Sequence, residues 1–210
     1  MEKYIVMTPG AAVAFDKYEK FMVMSPGRSA SNSLANHIKN SLDKKGIPNE
    51  VLNFSDLPVV WPEDQENPEQ WTVVVSTRRD MLAQVISFHS IVLSHQSHKF
   101  RNIELQPFIF PRLSFFTFAH GILFYHDKIF NSKWPQFKKV HWLVYEDIVQ
   151  DWAATGRQLG FDDWSARSRG HALGYGTIWD KVINKQEVLD WANELRTHYQ
   201  FTFDSEKYKV

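Results

Sequence analysis

Apolar positions along the chain follow two rhythms. Short, nearly unbroken runs rich in β-branched and aromatic residues recur at "KFMVMS" (20–25), "EVLNF" (50–54), "WTVVVST" (71–77) and "VHWLVY" (140–145), and each predicts a strand. Between them lie longer stretches of helical periodicity, which predict helices from about Ala30 to Lys44, Met81 to His98, Leu113 to Phe130 and Lys185 to His198. The breakers "KKGIPN", "PEDQENPEQ", "QPFIFPR" and "NSKWPQ" separate these elements. Strand and helix in alternation predict an α/β fold with a mainly parallel sheet flanked by helices. No long linker, low-complexity tract or repeat array divides the chain, so one domain is expected over residues 1–210, with an N-terminal arm over about 1–19. "IVMTPG" at 5–10 echoes "FMVMSPG" at 21–27. Only the second copy leads into a polar, helix-starting segment, so the first is read as a β-hairpin arm.

Composition narrows the field. Hydrophobic residues are 43% and charged residues 23% of the 210, a globular balance. The formal net charge of zero gives no global attraction to nucleic acid or to an anionic membrane, so any anion site must be a local arrangement. Without cysteine there is no disulfide, thiolate metal site or cysteine nucleophile. No apolar run reaches the roughly 20 residues that span a bilayer, and the N-terminal stretch reads poorly as a signal peptide. The expected location is cytoplasmic.

Chemistry concentrates where the run Phe21–Ser25 meets Pro26-Gly27-Arg28-Ser29-Ala30-Ser31-Asn32-Ser33. Pro26-Gly27 turns the chain off a strand, and Gly27 lets the backbone pass close to a ligand. The first turn of a helix offers unpaired N–H groups and partial positive charge, which suit a phosphate. Ser29, Ser31 and Ser33 add hydroxyl donors and Arg28 a bidentate one. Two readings stand side by side: a P-loop-like strand–phosphate-loop–helix start, or a plain turn with Ser29 or Ser31 capping the helix. The kinase loop G-x-x-x-x-G-K-[ST] is not present, because no Gly-Lys-Ser/Thr occurs anywhere.

A second basic turn follows "WTVVVST", where Arg78-Arg79 precede a helix and Ser87 falls eight positions after Arg79, near the face of the helix start. Basic residues at the carboxyl end of one parallel strand, beside an anion loop at the end of another, occupy the place where open α/β sheets bind ligands. The other reading is two solvated arginines and a buried serine.

These motifs resemble those of the sulfotransferases that use 3'-phosphoadenosine-5'-phosphosulfate (PAPS). The family's first loop reads approximately P-[KR]-S-G-[TS]-[TS], matched here by Arg28 to Ser33 with Ala30 in the usual glycine place. Its R-N-P-x-D-x-x-x-S motif is similar to Arg79 to Ser87, and Phe88-His89 resembles the aromatic-His that follows. "NFSDLPVVWP" resembles the K-T-H-L-P stretch with Asp56 in place of His. "VHWLVYEDIVQD" and "SRGHALGYGTIWDKVINKQEVLDWANEL" resemble the family's Y-E-D-L strand and turn, and its late R-K-G…W-K loop with the helix after it. The likeness covers about Lys20 to Leu195.

The resemblance implies a role for each matched position. Arg28 to Ser33, including Ala30 and Asn32, would hold the 5'-phosphosulfate. Arg28 would be the catalytic cation on the oxygen that bridges phosphate and sulfuryl group, where negative charge builds. Arg79, Ser87 and Arg169 would bind the 3'-phosphate, with Arg167 as the alternative to Arg169. A base must take the acceptor's proton, and Asp56 stands at its place, with Glu50 as runner-up. PAPS would be the cosubstrate and no metal is implied. The acceptor, a hydroxyl or an amine, is not named by the sequence.

Remaining constellations read more plainly. His89, His95 and His98 share one predicted helix but lack a matching acid, so no metal site is expected, and at least two of them read as solvated or hydrogen-bonded. The aromatic run 108–130 reads as core, although the resemblance places part of the acceptor pocket there, with Phe108, Phe110, Phe115, Phe116 and Phe118 as the candidates. Two other functions fit the same residues: a non-catalytic nucleotide-binding or assembly module that keeps the fold, and an ATP-dependent phosphotransferase.

Overall fold

The computed structural model describes residues 4–8, 11–15, 18–27, 29–55, 66–93, 106–131, 134–162, 164 and 178–208. Its contacts sort the chain into two compact units, one of residues 1–77 with 131–167 and the other of 78–130 with 168–210. Neither is a contiguous piece of sequence.

The first unit begins with strands β1 (Tyr4–Thr8) and β2 (Ala11–Phe15), paired antiparallel as the expected hairpin. β3 (Glu19–Ser25), β4 (Asn49–Ser55), β5 (Trp71–Thr77) and β6 (Lys139–Val144) then form a four-stranded, all-parallel sheet in the order β4-β3-β5-β6. These boundaries lie within a residue of the predicted ones. Helix α1 (Ser31–Lys44) packs on β3 and β4, and α4 (Tyr145–Gln150), which directly follows β6, packs on that strand and on α5 (Trp152–Gln158).

Alternation along the strands explains the core. Phe21 and Val23 of β3, Val74 of β5 and Leu143 of β6 share a cluster with Leu34, Ile38 and Leu42 of α1, and with Ile148, Trp152, Leu159, Phe161 and Trp164. The intervening Met22, Met24, Val73 and Val75 are buried as well, so the central strands are apolar on both faces. That is why their sequence runs are continuous.

The second unit holds α2 (Met81–Leu93), α3 (Arg112–Asn131) and α6 (Lys185–His198). Its core joins Leu82, Val85 and Ile86 of α2 to Phe115, Ala119 and Ile122 of α3, to Val188, Ala192 and Leu195 of α6, and to Phe201 and Tyr208. A parallel bridge between Phe108 and Val182 and the two-way amide clasp of Asn184 on the Phe110 backbone tie the aromatic run to the segment before α6. Among the described residues no helix is long and apolar enough to cross a membrane.

Candidate anion site

Chain order through the sheet creates a special place. From β3 the chain passes through α1 to β4 on one side, and β5 then pairs with β3 on the other. The order reverses at β3 and β5, and in open parallel sheets the crevice at the carboxyl ends of such strands is the ligand site. The loop after Ser25 lies there.

Two left-handed residues shape this loop. Gly27 has φ 73° and Ala30 φ 68°. The Gly27 N–H donates to the Ser25 hydroxyl at 3.1 Å. Ala30 is the residue from which α1 starts, and its carbonyl accepts from the Leu34 N–H at 2.9 Å. The N–H groups of Ser31, Asn32 and Ser33 have no acceptor within the helix, and no side chain caps it among the described residues. Among the described residues the helix start therefore presents donors and dipole charge that no side-chain cap neutralises. Neither Ser29 nor Ser31 caps the helix, so that half of the plain-turn reading does not hold.

The Ser29 hydroxyl is occupied elsewhere. Ser29 is fully buried, and its Oγ donates toward the carbonyls of Gly27 (3.3 Å) and Ser76 (3.2 Å). Ser76, equally buried, returns its own hydroxyl to the Ser29 carbonyl. This reciprocal clasp fastens the loop to the end of β5. An anion in the loop is thus offered the Ser29 backbone rather than its hydroxyl. Ser76 has only a faint signal in the sequence, a serine inside the largely apolar "WTVVVST". Asn32, exposed, accepts from the Asn53 amide of β4, and Ser33, half-buried, has its carbonyl 2.8 Å from His37 Nδ1.

Glu50, the runner-up for the base, lies at the end of the sheet away from this loop. It sits at the amino end of β4, in register with Lys20 and ion-paired with it at 3.5 Å. Ser25 pairs with Ser55 at the other end, five residues or roughly 16 Å along the strand. Arg28, Asp56, Arg167 and Arg169 lie outside the described residues, as do His95 and His98.

In the second unit, Arg79 is exposed and its carbonyl accepts from the Thr202 hydroxyl at 2.7 Å. Arg78, by contrast, is buried. Between them and α2 stands Asp80, whose carboxylate caps the helix through the Ala83 N–H (3.0 Å), accepts from the Tyr208 hydroxyl (2.6 Å) and lies 3.6 Å from the Lys207 ammonium. The start of α2 is therefore occupied by a protein carboxylate. Ser87 is buried on α2, and its carbonyl accepts from the Ser90 hydroxyl at 2.8 Å.

His89 is buried and neither ring nitrogen has a hydrogen-bond partner among the described residues; the expectation of at least two solvated or hydrogen-bonded members of this trio rests on His95 and His98, which lie outside the described residues. The His89 ring stacks on Phe110 at 4.2 Å, with Phe108 and Phe118 at 5.4 and 6.2 Å, and burial pushes its pKa down. Phe108, Phe110 and Phe115 are core, while Phe116 and Phe118 are half-buried. Among the described residues no group of three metal-ligating side chains comes together.

Comparison of the chain with protein-family models, with curated proteins and with solved structures found no match.

Proposed function

We propose that this chain binds PAPS through the loop after β3 and transfers its sulfuryl group to a hydroxyl or amine acceptor. The observation that carries the reading is the uncapped start of α1, reached through two left-handed residues, at the point where the strand order reverses. On this reading the acceptor atom attacks sulfur in line. The bond from sulfur to the bridging oxygen breaks, its electrons pass to the 5'-phosphate, and the acceptor proton passes to a base. Arg28 stabilises the charge on the leaving phosphate without titrating. Asp56, the residue after the last of β4, is the base, and Arg79, Ser87 and Arg169 take the 3'-phosphate.

One observation favours a second reading. With Glu50 at the far end of β4, the base has a single candidate, and a nucleotide-binding module without turnover keeps every other feature. Radiolabelled PAPS incubated with a panel of hydroxyl and amine acceptors separates the two. Label on an acceptor, with equal release of 3'-phosphoadenosine-5'-phosphate, supports the transferase. Tight binding of that nucleotide without transfer to any acceptor gives the module, and Mg²⁺-dependent ATP binding in its place gives the phosphotransferase. Within the transferase reading, Asp56→Asn should cut turnover roughly 100-fold or more while nucleotide affinity stays unchanged. Equal loss of both would remove Asp56 from the chemistry.

A further inference from the structure

Strands disfavour asparagine, yet the apolar run of β4, Val-Leu-Asn-Phe, is interrupted by one at Asn53. Alternation puts Asn53 on the same face as Val51, which packs against the cluster that joins Phe21 and Val23 of β3 to Leu34 and Ile38 of α1. In register it lies opposite Val23, two residues before the Ser25–Ser55 pair that meets the anion loop. An amide thus stands on the apolar face that α1 covers. Its Oδ1 is buried and has no hydrogen-bond partner among the described residues, so the residue costs the sheet stability. The other half of the amide reaches the helix. Asn53 Nδ2 donates to Oδ1 of Asn32, the second residue of α1.

That bond decides what the Asn32 side chain can do. Helical side chains lean toward the helix N-terminus, so the exposed Asn32 amide lies alongside the N–H groups of the first turn. An asparagine oxygen at a helix start readily accepts from backbone N–H groups of its own turn. Here that oxygen is committed to Asn53, and α1 has no side-chain cap among the described residues. The amide also acquires a direction. With its oxygen turned to β4, its Nδ2 hydrogens are directed away from the strand. One bond from Asn53 therefore has two effects: it withholds an acceptor from the helix start, and it leaves a donor beside it.

We propose that Asn53 is a positioning residue for the anion site, holding the Asn32 amide with its oxygen toward β4 and its NH2 group toward the 5'-phosphate end of the bound nucleotide. The inference rests on the reading of this loop as the nucleotide site. Asn53 itself does not touch the ligand, and its effect passes through Asn32.

Calorimetric titration of 3'-phosphoadenosine-5'-phosphate into the full chain tests this through a double-variant cycle. Asn53→Leu keeps the shape of the side chain and removes the donor. It should weaken binding by roughly 10-fold, the scale of one hydrogen bond to a charged group. Asn32→Ala should weaken binding by a similar factor. In the Asn32→Ala background, Asn53→Leu should have no further effect, because the residue through which it acts is gone. A purely structural role would instead give the same loss in both backgrounds. Asn53→Val repeats the test with a β-branched side chain suited to a strand, should the leucine variant fold poorly. Wild-type binding that both Asn53 variants leave unaffected overturns this inference and leaves the nucleotide site standing, as does an equal loss in both backgrounds. A wild type that does not bind the nucleotide overturns the site and this inference with it.

Discussion

At Ala30 the backbone is held at φ 68°, ψ 12°, where the Cβ of an L-residue costs ~1–2 kcal/mol. Glycine carries no such penalty but loses more freedom on folding, by ~0.5–1 kcal/mol. Ala30→Gly should therefore raise stability in urea by up to about 1 kcal/mol. A loss of stability would show that the alanine methyl contributes packing that outweighs its strain. His126 on α3 gives a second test. Its Nε2 has no hydrogen-bond partner among the described residues, and burial lowers its pKa to about 4. The unfolded chain takes up this proton near pH 6.5 and the folded one only near 4, so stability is lost as pH falls through that window. The slope is ~1.4 kcal/mol per pH unit for one proton. Between pH 6.5 and 5.0, His126→Leu should lose less stability than the wild type by about 2 kcal/mol in urea unfolding. Equal losses would mean that His126 takes its proton in the folded state. Burial pushes His89 and His141 in the same direction, so some acid sensitivity should remain in the variant.

Elements show why some of the chain was legible and some was not. The four strands and α1, α3 and α6 were read within a residue or two because their apolar runs are long and end at glycine, proline or polar clusters. α4 and α5 carry little signal in the sequence. They are short and follow β6 without a breaker, and their one local signal was Asp151, which caps α5 through the Ala154 N–H. Gly156 of α5 makes a sharp prediction. A Cβ added there would lie 2.2 Å from Trp164 Cγ, and that indole is held between Trp152, Phe161 and His37. Gly156→Ala should therefore cost ~1–3 kcal/mol or more by overpacking, seen as a lower thermal midpoint. Unchanged melting would mean that the Trp164 ring is free to move aside. At the start of α2, Asp80→Ala removes a cap worth ~1 kcal/mol and leaves the buried Tyr208 hydroxyl without this acceptor, so together the loss should reach about 2 kcal/mol.

For the whole molecule, the class of fold is legible in the sequence, but the order of its strands is not. Alternation of strand and helix implies a parallel sheet, yet it does not fix the order β4-β3-β5-β6, and the reversal at β3 and β5 depends on that order. Glu50 was readable in principle, since it opens its strand and the ligand side of a parallel sheet is where strands end. The Ser29–Ser76 clasp was not, because it joins residues 47 apart through backbone carbonyls. The central claim is that the loop after β3 belongs to a site for a nucleotide carrying a 3'-phosphate, and calorimetric titration tests it most directly. The chain should bind 3'-phosphoadenosine-5'-phosphate at least ~10-fold more tightly than 5'-AMP, a difference of ~1.4 kcal/mol. Equal affinities, or no binding of either nucleotide, would contradict it.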